Sequence, residues 1–580
     1  MRLGAVRAAV IGLFVILYAA VLRLQVIQGS VYFRQSEQNR IRLVEEDACR
    51  GIIYDRNGIA LVENRLVFDV VALPREITPA AEEAVFAALG RITGTDPVLL
   101  RDTYNHNIHY GVNSVLLMEN VPREVAFRIE QAAVMPGIYV RTGGVRHYPF
   151  GTAAAHLVGY VGRIPQQDLA GLKQYGYRTQ DIVGKAGLEK TQDLLLRGKP
   201  GGMQLEVDSK GKMLRVLSYR APERGGDLQV TVDAGLQQFI AGLLKDERGA
   251  AVVMDAADGA LFALCSMPSF EPDAFVDSRR RSEIAAYLQD AASPLLDRSL
   301  RTYPPGSVFK IVTGYAGLAE HLVTEQTTFD CAGSLTVGSY TKRCWLESGH
   351  GRTNLAQALT GSCNVYFYHL GLKLGDQIIA RYARKFGFGA VTGVELPNEF
   401  AGVVPDAAWK LQKIGKKWFP GDSLNTAIGQ GYLEVTPLQA ARMTATIANG
   451  GYEVTPHLVK KKISAAKSKK ILDSGIVAVI RAGMRGAVAA PNGTAHKAAV
   501  GDTAVFGKTG TAQFGKKKPH AWFAGFAAIA DRNVCCLVFL EHSGHGGDRP
   551  AEIAREIIRY LCRQPPRGSV RAPDGAQGGQ

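Results

Sequence analysis

One stretch limits what the rest of this chain can become: Tyr303-Pro304-Pro305-Gly306-Ser307-Val308-Phe309-Lys310, followed by the apolar run Ile311 to Leu318. Two prolines and a glycine punctuate its start, Ser307 can open a helix, and the β-branched and aromatic residues beyond it predict a buried one. On such a helix Ser307 and Lys310, three apart, share a face. A hydroxyl is a weak nucleophile at neutral pH unless a base stands beside it, and a lysine is a base only after losing its proton. Burial, the positive end of a helix dipole and a second nearby cation all favour that loss, because each disfavours the ammonium form. The chain must therefore bring a lysine into its core next to a serine.

Ser-x-x-Lys alone is a weak signal, since it occurs at Ser209, Ser307, Ser339 and Ser464. Gly, Lys and Thr neighbours, with no long apolar helix following, read the other three as solvated loop. Ser307 differs in its company downstream: Ser362-Cys363-Asn364, and the one Lys-Thr-Gly of the chain, Lys508-Thr509-Gly510. Ser-x-x-Lys, Ser-x-Asn and Lys-Thr-Gly in that order is the signature of penicillin-binding proteins and serine β-lactamases, which this chain resembles.

A length of 580 residues predicts two or three domains, and an excess of 15 positive charges asks for an acidic neighbour. The basic residues are spread thinly and form no aromatic-interleaved patch, which argues against nucleic acid. An anionic membrane surface fits better. Ala8 to Leu22 is almost wholly apolar between Arg7 and Arg23, whose stems can snorkel, so residues 8–24 read as a transmembrane anchor. A cleaved signal peptide is the competing reading, but Leu22-Arg23-Leu24-Gln25-Val26 offers no small-x-small cleavage site. Arg2 and Arg7 would hold residues 1–7 in the cytoplasm, leaving the rest outside the inner membrane, where thiols can be oxidised.

From Gly29 to Arg224 the chain reads as mixed β and α. Arg50 to Gly58 predicts a short strand running into an Asp-x-Asn-Gly hairpin turn, Pro79 to Ile92 and Pro122 to Val134 have helical spacing, and Tyr148 to Gly151 followed by His156 to Tyr160 predicts loop then strand. His106, His109, His147 and His156 read as loop or packing residues. A second domain begins near Gly225. There Leu228 to Asp233 predicts a strand whose Asp233 caps a helix at Ala234, and Gly249 to Cys265 a hairpin around Asp258-Gly259. The Lys508 strand, Trp522 to Ile529 and Val534 to Glu541 complete a sheet, with a closing helix at Pro550 to Leu561. The tail 564–580, rich in Gly, Pro, Arg and Ala, has too little apolar content to pack.

Arg50 to Gly58, Tyr148 to Tyr160 and Gly184 to Glu189 also resemble the pedestal-like, dimerisation-type N-terminal domain of the class B penicillin-binding proteins, and Trp409 to Pro420 with Gly429-Gln430-Gly431-Tyr432 resembles their elongation-type members. The resemblance implies a multi-domain α+β protein: one transmembrane helix, a mixed β/α pedestal over 29–224, and a transpeptidase domain over 225–563 with an antiparallel sheet flanked by helices and a helical subdomain. It implies that Ser307 attacks a D-Ala-D-Ala carbonyl and Lys310 takes its proton. Ser362 relays a proton to the leaving amine, and Asn364 holds Lys310 and the substrate amide. Lys508 adds positive field, Thr509, Gly510 and Thr511 line the carboxylate site, and the backbone N–H groups of Ser307 and Thr511 form an oxyanion hole. Its partners would be stem peptides (a D-Ala-D-Ala donor and an amine acceptor), a multi-pass membrane glycosyltransferase with other elongation proteins, and β-lactams as inhibitors, with no nucleic acid and no organic cofactor. The glycosyltransferase motif of class A members is missing, as is any Glu placed to drive deacylation as in β-lactamases. Division or sporulation roles, a D,D-carboxypeptidase and a non-enzymatic penicillin-binding sensor stay open.

Cysteine placement adds a separate question. Cys331, Cys344 and Cys363 fall with His350 inside one short segment, and three thiolates with one imidazole make a closed tetrahedral zinc set, with Asp330 an alternative first ligand. Some elongation transpeptidases are known to hold zinc beside the Ser-x-Asn motif, and these positions resemble that site. A Cys331 to Cys344 disulfide and three free thiols are the competing readings. Cys49, Cys265, Cys535, Cys536 and Cys562 read as inert packing.

Overall fold

The computed structural model of the chain describes residues 2–564 except 31–40, 47, 75, 109–113, 133–134, 173, 175–176, 178–180, 208–212, 339 and 461–468. His109, Ser209, Ser339, Ser464 and the tail from 565 on lie outside the described residues. The chain divides into two compact units, Met1–Gly51 with Leu194–Asp227, and Ile52–Asp193 with Leu228–Gln580.

The first unit opens with the helix Arg2–Leu22. Val6–Ile27 is long and apolar enough to cross a membrane by length and composition. Phe14, Ile16 and Tyr18 all face outward with no core to enter, an arrangement that a lipid phase would cover. The same unit holds a three-stranded antiparallel sheet, with Gly201–Val207 between Ile41–Glu46 and Met213–Arg220.

In the second unit the Asp-x-Asn-Gly cue forms its turn: Asp55 Oδ1 accepts the N–H groups of Asn57 and Ile59 at 2.7 and 2.8 Å, and Gly58 takes the left-handed φ of 89° that the turn needs. Ile53–Tyr54 pairs with the start of the long strand Ala60–Ala72, which goes on to pair with Val115–Val121 and Ile138–His147. Helices Glu82–Thr93 and Arg123–Gln131 close the core of this sheet through Phe86, Leu89, Ala126 and Ile129. His156 to Tyr160 is a correction to the expected strand. Ala155–Val158 is one helical turn and the strand is Val161–Arg163. Gly159, at φ 77°, ends that turn where a Cβ would stand 1.8 Å from the Ala186 carbonyl oxygen, so the chain cannot run on extended.

The large sheet is antiparallel throughout, in the order Leu261–Met267, Gly249–Asp255, Arg532–Leu540, Lys517–Ile529, Val505–Phe514. Its strands are nearly continuous apolar runs because both faces are covered. Helices Ala234–Leu243 and Arg549–Arg563 lie against one of them, with Leu236, Ile240, Ile553 and Ile557 fully or almost fully buried among Val253, Phe523 and Val538. Asp233 caps the first of these helices by accepting Leu236 N–H at 2.9 Å, as its sequence position predicts. The strand before it is shorter than expected, Leu228–Gln229, and runs parallel to Ile53–Tyr54.

Candidate active site

Ser307 does not sit on an α-helix. Gly306–Phe309 is a 3₁₀ turn, and the α-helix begins at Lys310 and runs to Ala319. The shared face survives, because a 3₁₀ turn has three residues per turn and stacks i above i+3. Lys310 through Leu318 are all buried, so the lysine enters the core with its helix. Gly306, at φ 55°, donates its N–H to the Gly429 carbonyl at 2.9 Å, and a Cβ on Gly429 would stand 2.1 Å from the Gly306 oxygen. Gln430 Nε2 donates to the Thr511 carbonyl at 3.3 Å. The Gly429-Gln430-Gly431 loop thus ties the Ser307 turn to the strand Val505–Phe514, which carries Lys508, Thr509 and Thr511.

The Ser-x-Asn motif arrives between helices Leu355–Thr360 and Asn364–Lys385. Lys310 Nζ lies 2.8 Å from the Ser362 carbonyl oxygen, 2.6 Å from Asn364 Oδ1 and 3.2 Å from Ser362 Oγ. Lys508 Nζ donates to the same Ser362 Oγ at 2.8 Å and to the Thr509 carbonyl at 3.0 Å. A neutral lysine has two N–H donors and one lone pair. The carbonyl and Asn364 Oδ1, both pure acceptors, use the two donors, and the lone pair is left for a hydroxyl. Among the described residues no hydrogen bond joins Lys310 to the Ser307 hydroxyl, which is half-buried.

Both lysines are fully enclosed. Burial pushes Lys310 down to about 7, against the opposing pull of the thiols Cys363, Cys344 and Cys331. Burial first, and the charge of Lys310 second, push Lys508 well below the usual lysine range. A charged Lys310 therefore disfavours a charged Lys508 across the shared hydroxyl, and the positive field expected of Lys508 is weakest while Lys310 is protonated. A test follows. Below pH 7 Lys310 is protonated and cannot accept, and above it the free base dominates. The rate of acylation by a β-lactam should therefore rise through about pH 7 and level off, and a rate that stays flat from pH 5.5 to 8.5 would exclude Lys310 as the base.

Thr509 Oγ1 donates to Thr494 Oγ1 at 2.9 Å, and Gly546 N–H reaches Thr511 Oγ1 at 3.5 Å. Gly510 is packed tightly, since a Cβ there would meet the Pro305 carbonyl at 2.8 Å. Thr494 and Gly546 carry no motif and were not legible in the sequence. Neither was Lys410, buried against Asp422 at 2.6 Å with the rings of Phe419, Tyr432 and Trp418 within 6 Å, which anchors the segment leading into Gly429.

Cys331, Cys344, His350 and Cys363 come together, all four donor atoms within 4.8 Å of one another. His350 Nδ1 lies 3.7 Å from Cys331 Sγ and 3.5 Å from Cys344 Sγ. Ligands at zinc's usual bond lengths in a tetrahedron stand about 3.5–3.8 Å apart, the size of both His350–thiol distances. Nε2 of His350 lies 3.1 Å from the Gly361 carbonyl, which leaves Nδ1 facing the thiols. Hydrogen bonds from Cys363 and then His350 hold Cys344 well below the usual thiol range despite its burial. Asp330 is exposed and stands outside the cluster, and all eight cysteines are free. Of the five expected to pack, Cys265, Cys535 and Cys536 are buried, but Cys49, which lies in no strand or helix, and Cys562, in the last turn of Arg549–Arg563, are exposed.

A covered antiparallel sheet with a lysine-flanked serine at its edge is the frame of a serine acyl-transfer domain. The profile of the penicillin binding protein transpeptidase domain matches residues 249–559, and that of the penicillin-binding protein dimerisation domain matches residues 45–230. The peptidoglycan D,D-transpeptidase MrdA of Haemophilus influenzae is 32% identical over 587 residues, spanning 95% of this chain and 89% of the relative. Among solved structures, penicillin-binding protein 2 of Helicobacter pylori in complex with MreC matches with a TM-score of 0.80 at 32% identity, covering 90% of this chain and 98% of that one. A chain from a structure described as the coordination of polymerization and crosslinking by a peptidoglycan synthase complex matches at 0.73 and 29%, covering 98% and 100%. The chain belongs to the penicillin-binding proteins, in the group that includes MrdA and penicillin-binding protein 2.

Proposed function

We propose that this chain is a serine-type peptidoglycan D,D-transpeptidase that crosslinks stem peptides during cell-wall elongation and is acylated by β-lactams. The observation that carries this reading is the meeting of two fully buried lysines on the Ser362 hydroxyl, one of them, Lys310, a single turn along the chain from half-buried Ser307. Ser307 Oγ attacks the carbonyl carbon of the D-Ala-D-Ala bond while its proton passes to Lys310. Backbone N–H groups of Ser307 and Thr511 take the oxyanion, donors typically worth about 3 kcal/mol of barrier each. Ser362 hands a proton from Lys310 to the departing D-Ala amine. Thr509 and Thr511 hold the terminal carboxylate. The acyl group then leaves on an acceptor amine, whose proton returns by the same route.

Cys331, Cys344, His350 and Cys363 would hold one zinc ion. Held by four protein ligands, such an ion would leave no open position and would brace the fold without activating a water.

Val6–Ile27 would cross the inner membrane once, with the N-terminus cytoplasmic, and meet a multi-pass glycosyltransferase there. The Helicobacter pylori complex with MreC and the synthase-complex structure support partners of the elongation machinery. In depleted cells, which should round up, the wild-type chain should restore rods and amine-dependent crosslinks. A chain with an unrelated anchor helix should bind penicillin but fail to restore shape. Filamentation on depletion, or release of D-Ala with no crosslink when acceptor is present, would refute the elongation transpeptidase.

A further inference from the structure

Ser362 is held in an uncommon backbone state. Its φ is +52°, in the left-handed region that residues other than Gly, Asn and Asp seldom adopt, and it follows Gly361. Such a state persists only where the surroundings fix it. Backbone bonds from Ser362 N–H to the Leu359 carbonyl at 3.4 Å and from Cys363 N–H to the Ala358 carbonyl at 2.9 Å hold part of this turn, and one side chain outside the three motifs holds its two carbonyls. Trp345 Nε1 lies 3.1 Å from both the Gly361 and the Ser362 carbonyl oxygens, so a single N–H spans two consecutive peptide groups. The Ser362 oxygen has two lone pairs; Lys310 Nζ takes one at 2.8 Å and the indole the other. The Gly361 oxygen is shared in the same way with His350 Nε2 at 3.1 Å, and the indole ring stands edge-on to that imidazole, ring centres 5.6 Å apart.

Trp345 is 55% exposed, an odd place for an indole whose only duty is packing. Its ring stands beside His350 while its N–H reaches the carbonyls of the Ser-x-Asn turn. We infer that Trp345 is a positioning residue for acyl transfer: its indole N–H locks the plane of the 362–363 peptide so that the Ser362 carbonyl meets one N–H of Lys310 and the Ser362 hydroxyl stays between Lys310 and Lys508. Without the indole donor the Ser362 carbonyl is free to turn, the left-handed φ loses a restraint, and Lys310 loses a fixed acceptor. Its lone pair is then no longer aimed at a hydroxyl.

The inference rests on the acyl-enzyme reading above, and the test separates the two. Full-length detergent-solubilised chains are mixed with a fluorescent penicillin in a stopped-flow instrument, which resolves the binding constant from the acylation step. Trp345→Phe keeps a ring against His350 but has no donor, and replacement of Trp345 by 3-benzothienylalanine keeps the full bicyclic shape with sulfur in place of N–H. Both should slow acylation about tenfold, the usual size of one lost hydrogen bond, with the binding constant within about twofold and the melting temperature unchanged. A merely packing role predicts that the benzothienyl chain acylates like wild type while the phenylalanine variant does not, and that result overturns the inference. A slowing that tracks a fall in melting temperature overturns it as well. A wild-type chain that takes no label on Ser307 would instead remove the function on which it stands.

Discussion

Ser307→Ala should gain no mass from benzylpenicillin, whereas the wild-type chain gains a single penicilloyl group on the peptide that carries Ser307. Three other Ser-x-x-Lys sequences compete on paper, and Ser307 is followed by a helix that buries its lysine fully and by a Ser-x-Asn turn that meets that lysine. Removing a nucleophile from an assembled acyl-transfer site costs at least about 10⁴-fold, because no remaining group can form the covalent bond. The fold should not notice. Ser307 is half-buried in a 3₁₀ turn, its hydroxyl supports no cap there, and alanine is a good helix former, so the melting temperature should stay within about 2 °C of wild type. Mass spectrometry of the intact chain and of its digest reads both outcomes. Label that survives Ser307→Ala would sink the assignment, and label that vanishes together with the folded state would mean that the serine had been chosen for structure.

What the sequence disclosed and what it hid divide along a physical line. Periodicity and turn chemistry are local, so the strands Val505–Phe514, Lys517–Ile529 and Arg532–Leu540, the Asp55 to Gly58 turn and the Asp233 cap lay close to where their residues put them. Contacts across the fold are not local. Nothing in the spacing of Trp345 and Ser362 tells that one indole N–H serves two carbonyls, because that depends on a left-handed φ at Ser362 that no residue type announces. Thr494 beside Thr509 and the aromatic surround of Lys410 are hidden for the same reason. The 3₁₀ turn at Ser307 escaped because the i to i+3 pattern of its residues fits a 3₁₀ and an α turn equally. Cys49 and Cys562 misled in the opposite direction: an apolar neighbourhood in sequence predicts burial only if the element continues into a core.

His350→Ala should bind no zinc where the wild-type chain holds the one proposed above, melt at lower temperature and acylate slowly, with Ser307 and Lys310 both in place. The reason is the double use of the cluster's sulfurs. Cys363 is the residue between Ser362 and Asn364, and its Sγ accepts Tyr366 N–H at 3.5 Å as the cap of helix Asn364–Lys385. Cys344 Sγ accepts Asn364 N–H at 3.3 Å. An ion on these sulfurs would therefore fix the backbone from Cys363 to Tyr366, directly after Ser362, without touching substrate. With the imidazole gone, three thiolates would have to hold the proposed zinc in an incomplete shell, and folding would lose most of what a structural zinc site contributes, a quantity on the order of 10 kcal/mol in isolated metal-dependent domains and less where a large core already exists. The Ser362 hydroxyl then relaxes away from its two lysines. A displacement of about 1 Å at reacting groups costs on the order of a hundredfold in rate. Metal content by elemental analysis, melting temperature and the acylation rate of full-length protein should fall together. His350→Ala is the clean choice because it leaves every thiol, and so any disulfide, untouched. Wild-type protein purified without stoichiometric zinc, or a variant that melts and acylates like wild type, would show that the turn is held by its hydrogen bonds alone.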